Sequence, residues 1–148
     1  MSSHIPLRPL GKNGPLITRI GFGTMGLSAY YGSQLPDSER FKVLDHALEL
    51  GNTFWDTADV YADSEDLIGA WFKKTGNRKS IFLATKFGNI LDSNGNMTIR
   101  SDPEYVKEAC EKSLARLGVE VIDLYYCHRV DGKTPIEKTI EAMADLVK

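Results

Sequence analysis

An α/β fold on a parallel sheet is predicted by three observations along the chain. Short apolar runs recur at residues 19–23, 53–57, 81–87 and 121–128. Each is followed, directly or after a polar loop, by a stretch with helical apolar spacing, and glycine, proline or asparagine marks the junctions. Mostly apolar strands are buried on both faces, and strands alternating with helices run parallel. Two architectures satisfy the pattern: an open doubly wound sheet, or part of a (β/α)8 barrel, which in full needs about 250 residues. The 148 residues suffice for one domain with a real core.

Residues 7–18 carry an Asn13-Gly14 turn signal between apolar runs and predict a small hairpin. The first helix is predicted over 38–50, with Phe41, Leu44, Ala47 and Leu48 on one face and Gly51 as its stop. A second covers 64–75, its stripe formed by Leu67, Ile68, Trp71 and Phe72, with Gly76 just past the end. Residues 88–101 read as a loop. Asp102 caps a third helix that has Pro103 at its first position and ends at Gly118. Thr134 to Glu137 spells a capping box with Pro135 at the first helical position, followed by Ile136, Ile140, Met143, Leu146 and Val147 at helical spacing. The chain reaches Lys148 without a helix stop or a further strand, as expected of a truncated product or a portion of a longer protein.

Composition narrows the function classes. A net charge of −2 offers no basic surface for nucleic acid or an anionic membrane. The charge-free stretch 20–36 is broken by four glycines and is not a membrane span. The N-terminus lacks the apolar core of a secretory signal, so a cytoplasmic location is expected. Cys110 and Cys127 are expected as buried free thiols, and His4, His46 and His128 have no partner at metal-ligand spacing.

Residues 21–26, GFGTMG, match the dinucleotide fingerprint GxGxxG. The fingerprint works only where a helix opens directly after the glycines. Here Gly32 and Pro36 postpone the helix to about Ser38, so the dinucleotide-fold reading fails. A flavodoxin-like nucleotide binder meets the same objection.

Polar residues at strand ends carry more chemistry. Asp56, Lys86 and His128 close three successive apolar runs, and Tyr61 follows Asp56 by five residues. In a parallel sheet all lie on the rim where α/β enzymes place their sites. Together they suit carbonyl reduction. A hydride reaching a carbonyl carbon leaves an alkoxide that needs a proton, and a phenol beside an ammonium can supply it. The acid would hold the lysine, and the histidine would donate a hydrogen bond to the carbonyl oxygen. No metal is required.

The stretches GFGTMG, FWDTADVY at 54–61, SEDLIG at 64–69, LATKF at 83–87 and IDLYYCHRVD at 122–131 closely resemble the aldo-keto reductase superfamily, in particular its microbial and fungal branch. The resemblance spans essentially the whole chain. It implies the N-terminal half of a (β/α)8 barrel, with four β/α units behind a short hairpin. Asp56, Tyr61, Lys86 and His128 would form the catalytic tetrad, with Tyr61 as general acid. Gly23, Thr24, Met25 and Asp56 would approach the nicotinamide and ribose of NADPH. Tyr61, His128, Phe87 and Arg129 would face the carbonyl substrate. Family members form the complete barrel at about twice this length, and their second half supplies most of the cofactor site. A half barrel exposes two sheet edges and an apolar inner face, so self-association or a complementary half-barrel is expected. The alternative from another class is a non-catalytic interaction module that retains these motifs.

Overall fold

The computed structural model describes residues 5–148; His4 lies outside them. The hairpin is present: β1 (Leu7–Pro9) pairs antiparallel with β2 (Leu16–Thr18), and Asn13 takes the left-handed conformation in the turn. Behind it, β3 (Phe22–Gly23), β4 (Phe54–Asp56), β5 (Phe82–Phe87) and β8 (Leu124–Cys127) form one parallel sheet in chain order. A doubly wound sheet reverses its strand order at a switch point, and this one does not. The architecture is half of a (β/α)8 barrel.

The connecting helices are α1 (Met25–Ser28), α2 (Asp37–Glu49), α3 (Ser64–Thr75), α4 (Pro103–Leu117) and α5 (Ile136–Asp145). Local chemistry explains most of their ends. Gly76 and Gly118 take φ of 73° and 62° behind α3 and α4, the left-handed closure that glycine adopts without a steric penalty. The Asp102 carboxylate accepts from the Tyr105 N–H and caps α4. Gly69 serves packing instead: a Cβ there would stand 2.5 Å from the Arg116 carbonyl oxygen, so α3 and α4 meet backbone to backbone.

Three expectations are corrected. The segment before Ser38 is not free of helix, because α1 forms a single turn directly after Gly23. It is only four residues long, and the Thr24 N–H at its entrance is spent on the Asp56 carbonyl. Residues 88–101 are not simply a loop: β6 (Asn89–Leu91) and β7 (Met97–Ile99) form a hairpin around Asp92, whose carboxylate accepts from Asn94 and Asn96 N–H. The capping box does not form, since Thr134 turns its hydroxyl to Asp131 and Pro135 stands at the N-cap without a side-chain hydrogen bond.

The core lies between the sheet and its helices. Trp55, Trp71, Leu44, Ile68, Leu83 and Leu117 are fully buried there, each contributing about 1.5–3 kcal/mol as a large apolar group. Both indoles keep their N–H paired, to the Asn52 carbonyl and the Asp45 carboxylate. On the opposite face Phe54 and Phe82 meet edge to face at 5.6 Å and stay half-buried. Cys110 is buried, whereas Cys127 is only half-buried and donates its S–H to the Arg129 carbonyl. Among the described residues, no helix is long and apolar enough to cross a membrane.

Candidate active site

Strand register assembles the site. Asp56 lies opposite Ala84, so Lys86 stands two residues farther along β5 on the same face. Its ammonium lies 2.5 Å from Asp56 Oδ1 and donates to the Thr57 carbonyl at 2.7 Å. The same ammonium stands 5.0 Å from the centroid of the Tyr61 ring. Tyr61 and His128 meet edge to face, with ring centroids 5.8 Å apart. The four residues expected at the rim are brought together.

Each is held by its element. The His128 N–H donates to the Phe87 carbonyl at 2.7 Å, extending the β5–β8 ladder by one residue. Burial, joined by the positive charges of Lys86 and Arg129, pulls the His128 imidazole below the ordinary histidine value. Its Nδ1 is buried and has no protein partner. Asp56 is fixed from below by buried hydroxyls. Thr57 donates to Ser64 at 2.9 Å, Ser64 and Thr24 lie 2.9 Å apart, and Thr24 donates to the Asp56 carbonyl at 3.1 Å. With the Thr57 and Thr24 protons committed, Ser64 donates to Thr24, and the relay runs one way.

The residues expected around a cofactor and a substrate divide. Gly23 is exposed and pairs with Asp56, and a Cβ on it would meet nothing within 4 Å. Met25 is half-buried beside it. Thr24 is fully buried, and its N–H and hydroxyl both serve the Asp56 carbonyl, so it supports the site from within the scaffold. Arg129 is exposed next to His128. Phe87, expected in the pocket wall, is corrected: it is fully buried on the helix side, stacked on Tyr125 at 5.0 Å. Alternation along β5 sends Lys86 to one face and Phe87 to the other.

Two charged groups escaped the sequence reading. Arg40 and Glu65 are both buried, Arg40 on the stripe of α2 that carries Leu44 and Ala47. Glu65 accepts from Thr85 at 2.7 Å and pairs with Arg116 at 3.1 Å. A charge at a helical position facing the core was the available signal. Asp59, between Asp56 and Tyr61, keeps one buried carboxylate oxygen without a partner. Burial and the neighbouring Glu65 push its carboxyl up to about 7.

Comparison with known proteins agrees with this fold. Residues 19–148 match the model of the Aldo/keto reductase family. The chain is 55% identical to aldo-keto reductase str7 of Strobilurus tenacellus and 48% identical to aldo-keto reductase yakc [NADP(+)] of Schizosaccharomyces pombe. In each case 97% of this chain is matched against 42% of the relative, so it spans under half the length of those proteins. Among solved structures, the holo form of aldo-keto reductase AKR11C1 from Bacillus halodurans superposes with a TM-score of 0.85 at 36% identity, covering 97% of this chain and 46% of that one. The chain belongs to the aldo/keto reductase family.

Proposed function

We propose that this chain carries the catalytic rim of an NADPH-dependent reductase that converts aldehydes or ketones to alcohols. The observation that carries the reading is the placement of Lys86, bonded to Asp56 and standing over the Tyr61 ring beside His128. Tyr61 is the proton donor to the carbonyl oxygen. Lys86 places a positive charge where the phenol oxygen gains negative charge during transfer, and Asp56 holds that ammonium in place. A buried lone pair costs less to leave unpaired than a buried N–H, so the orphaned Nδ1 favours a neutral His128 with its proton on Nε2. That N–H is free to bind and orient the carbonyl. Arg129, exposed next to His128, would meet the substrate as it enters.

The residues present fit the nicotinamide end of the cofactor. Open space above Gly23, on the strand next to Asp56, admits a flat ring close to the backbone. When bound, NADPH supplies the hydride. Gly23 and Met25 flank that position, while Thr24 acts through the Asp56 carbonyl. The naming of yakc for NADP(+) supports the choice of cofactor. We place the protein in the cytoplasm, acting together with a second copy or a complementary half-barrel. The alternative is a non-catalytic interaction module that retains these motifs.

Titration of NADPH into the purified chain, followed by cofactor fluorescence, and then assay of an aromatic aldehyde, tests the reading. The expected result is binding with turnover that Tyr61→Phe abolishes. Binding without any turnover, unchanged by Tyr61→Phe, would leave the interaction module.

A further inference from the structure

Arg40 makes five hydrogen bonds from an almost fully buried position. Its guanidinium donates to both Asp63 oxygens at 2.9 Å, to Asp37 at 2.5 Å, to the Ser28 hydroxyl at 3.1 Å and to the Leu27 carbonyl at 3.4 Å. A two-pronged arginine–carboxylate pair fixes orientation as well as distance. Leu27 and Ser28 belong to α1, the turn that follows Gly23. Asp63 follows Tyr61 by two residues. One buried cation therefore ties the loop on the cofactor side to the loop that carries the phenol.

The Tyr61 turn is under tension that this tie sustains. Ala62, between Tyr61 and Asp63, has φ of 47°, a left-handed conformation that a residue with a Cβ disfavours. Such geometry persists only where its surroundings over-determine it. Arg116 holds one side, donating to the Asp59 carbonyl at 2.9 Å and to the Ala62 carbonyl at 2.5 Å. Arg40 holds the other through the Asp63 side chain. Asp63 occupies the N-cap of α3, yet its carboxylate makes no cap hydrogen bond and turns to Arg40 and Gln34 instead. The helix gives up a cap so that the turn can be tethered.

We infer that Arg40 is a positioning residue for Tyr61, coupling the arrangement of the Gly23–Ser28 loop to the placement of the phenol. The catalytic part of this inference rests on the carbonyl-reduction reading; the structural part does not. An ion pair with a purely structural role would lower stability and leave the phenol where it is.

The test uses the chain labelled with 3-fluorotyrosine, the Tyr61 resonance being assigned with Tyr61→Phe. Arg40→Lys keeps the charge and loses the fork. The expected result is a shifted or broadened Tyr61 resonance in a chain whose circular dichroism is unchanged. Adding NADPH should sharpen that resonance in the parent and not in the variant. Turnover should fall about 10–100-fold in kcat with KM for the aldehyde nearly constant, as for a misplaced catalytic group. Asp63→Asn, which leaves Arg40 in place, should move the resonance the same way and decides the matter if Arg40→Lys does not fold. An unmoved Tyr61 resonance in the folded variants overturns the inference. A moved resonance in a chain without turnover keeps the positioning role and removes the catalytic reading instead.

Discussion

Lys86 and Asp56 stand thirty positions apart in sequence and 2.5 Å apart in the fold. The Lys86 side chain is 15% exposed and that of Asp56 33%, so the pair is partly withdrawn from water. Replacing Lys86 with Met removes the cation beside Tyr61 and leaves Asp56 without its partner. Aldehyde turnover should drop about 10²–10⁴-fold, the range for loss of proton-transfer catalysis. Stability should fall by about 1–3 kcal/mol from the broken charged hydrogen bond. Initial rates and urea unfolding of the same preparation measure both.

Phe87 tests the division between the two faces of the sheet. Packed among Val106, Ala109 and Tyr125, it should cost about 3–5 kcal/mol on truncation to Ala. Its KM for aldehydes should not move. A changed KM at unchanged stability would restore Phe87 to the pocket wall.

The half-paired carboxylate of Asp59 makes stability depend on pH. Its folded value near 7 lies above the ordinary carboxylate value of 3.8 that holds in the unfolded chain, so the folded state binds the proton more tightly. The stabilisation is present below the unfolded value and is lost as pH rises through the folded one. Asp59→Asn should remove this loss, gaining on the parent by ~3 kcal/mol between pH 5 and pH 8. Parallel urea curves at the two pH values would show no such gain if the carboxylate is not buried.

His128 has the opposite sign. Its folded value lies below the ordinary histidine value of 6.5, so the unfolded state takes up the proton first. Stability should therefore decline as pH falls from about 6.5 toward the lower folded value, a slope that His128→Gln should flatten. Thermal melts across pH 5 to 7 measure it; an equal slope in both proteins counts against the shift.

The open side of the sheet should associate. A groove of about 670 Å³ beside β8 and α5 is lined by Leu114, Val121, Leu124, Ile140 and Met143. Val121 and Ile140 are exposed, as is Val147 at the end of the chain. Size exclusion with light scattering should give a mass above the 16.5 kDa of one chain, and Ile140→Asp should reduce it. A clean, folded monomer would sink the idea that a second copy covers this face.

Much of this was written locally. Asp102 and Gly118 bound α4 through hydrogen bonds and backbone angles within a few residues of themselves, so sequence alone located them. Asp56, Lys86 and His128 were legible because ionisable groups ending apolar runs stand out. The hairpin over β6 and β7 had the same Asn-Gly signal, at Asn94 and Gly95, that marked the first hairpin. Sequence alone thus determined the order of the four β/α units and the identity of the rim residues. Tertiary structure decided which way Phe87 points, because an apolar strand covered on both faces gives no phase to its alternation. It also decided that Arg40 and Arg116 would grip the Tyr61 turn. Arg116 lies 54 residues from Ala62, and no short-range preference for capping or turning can express a bond formed only when α4 packs against α3.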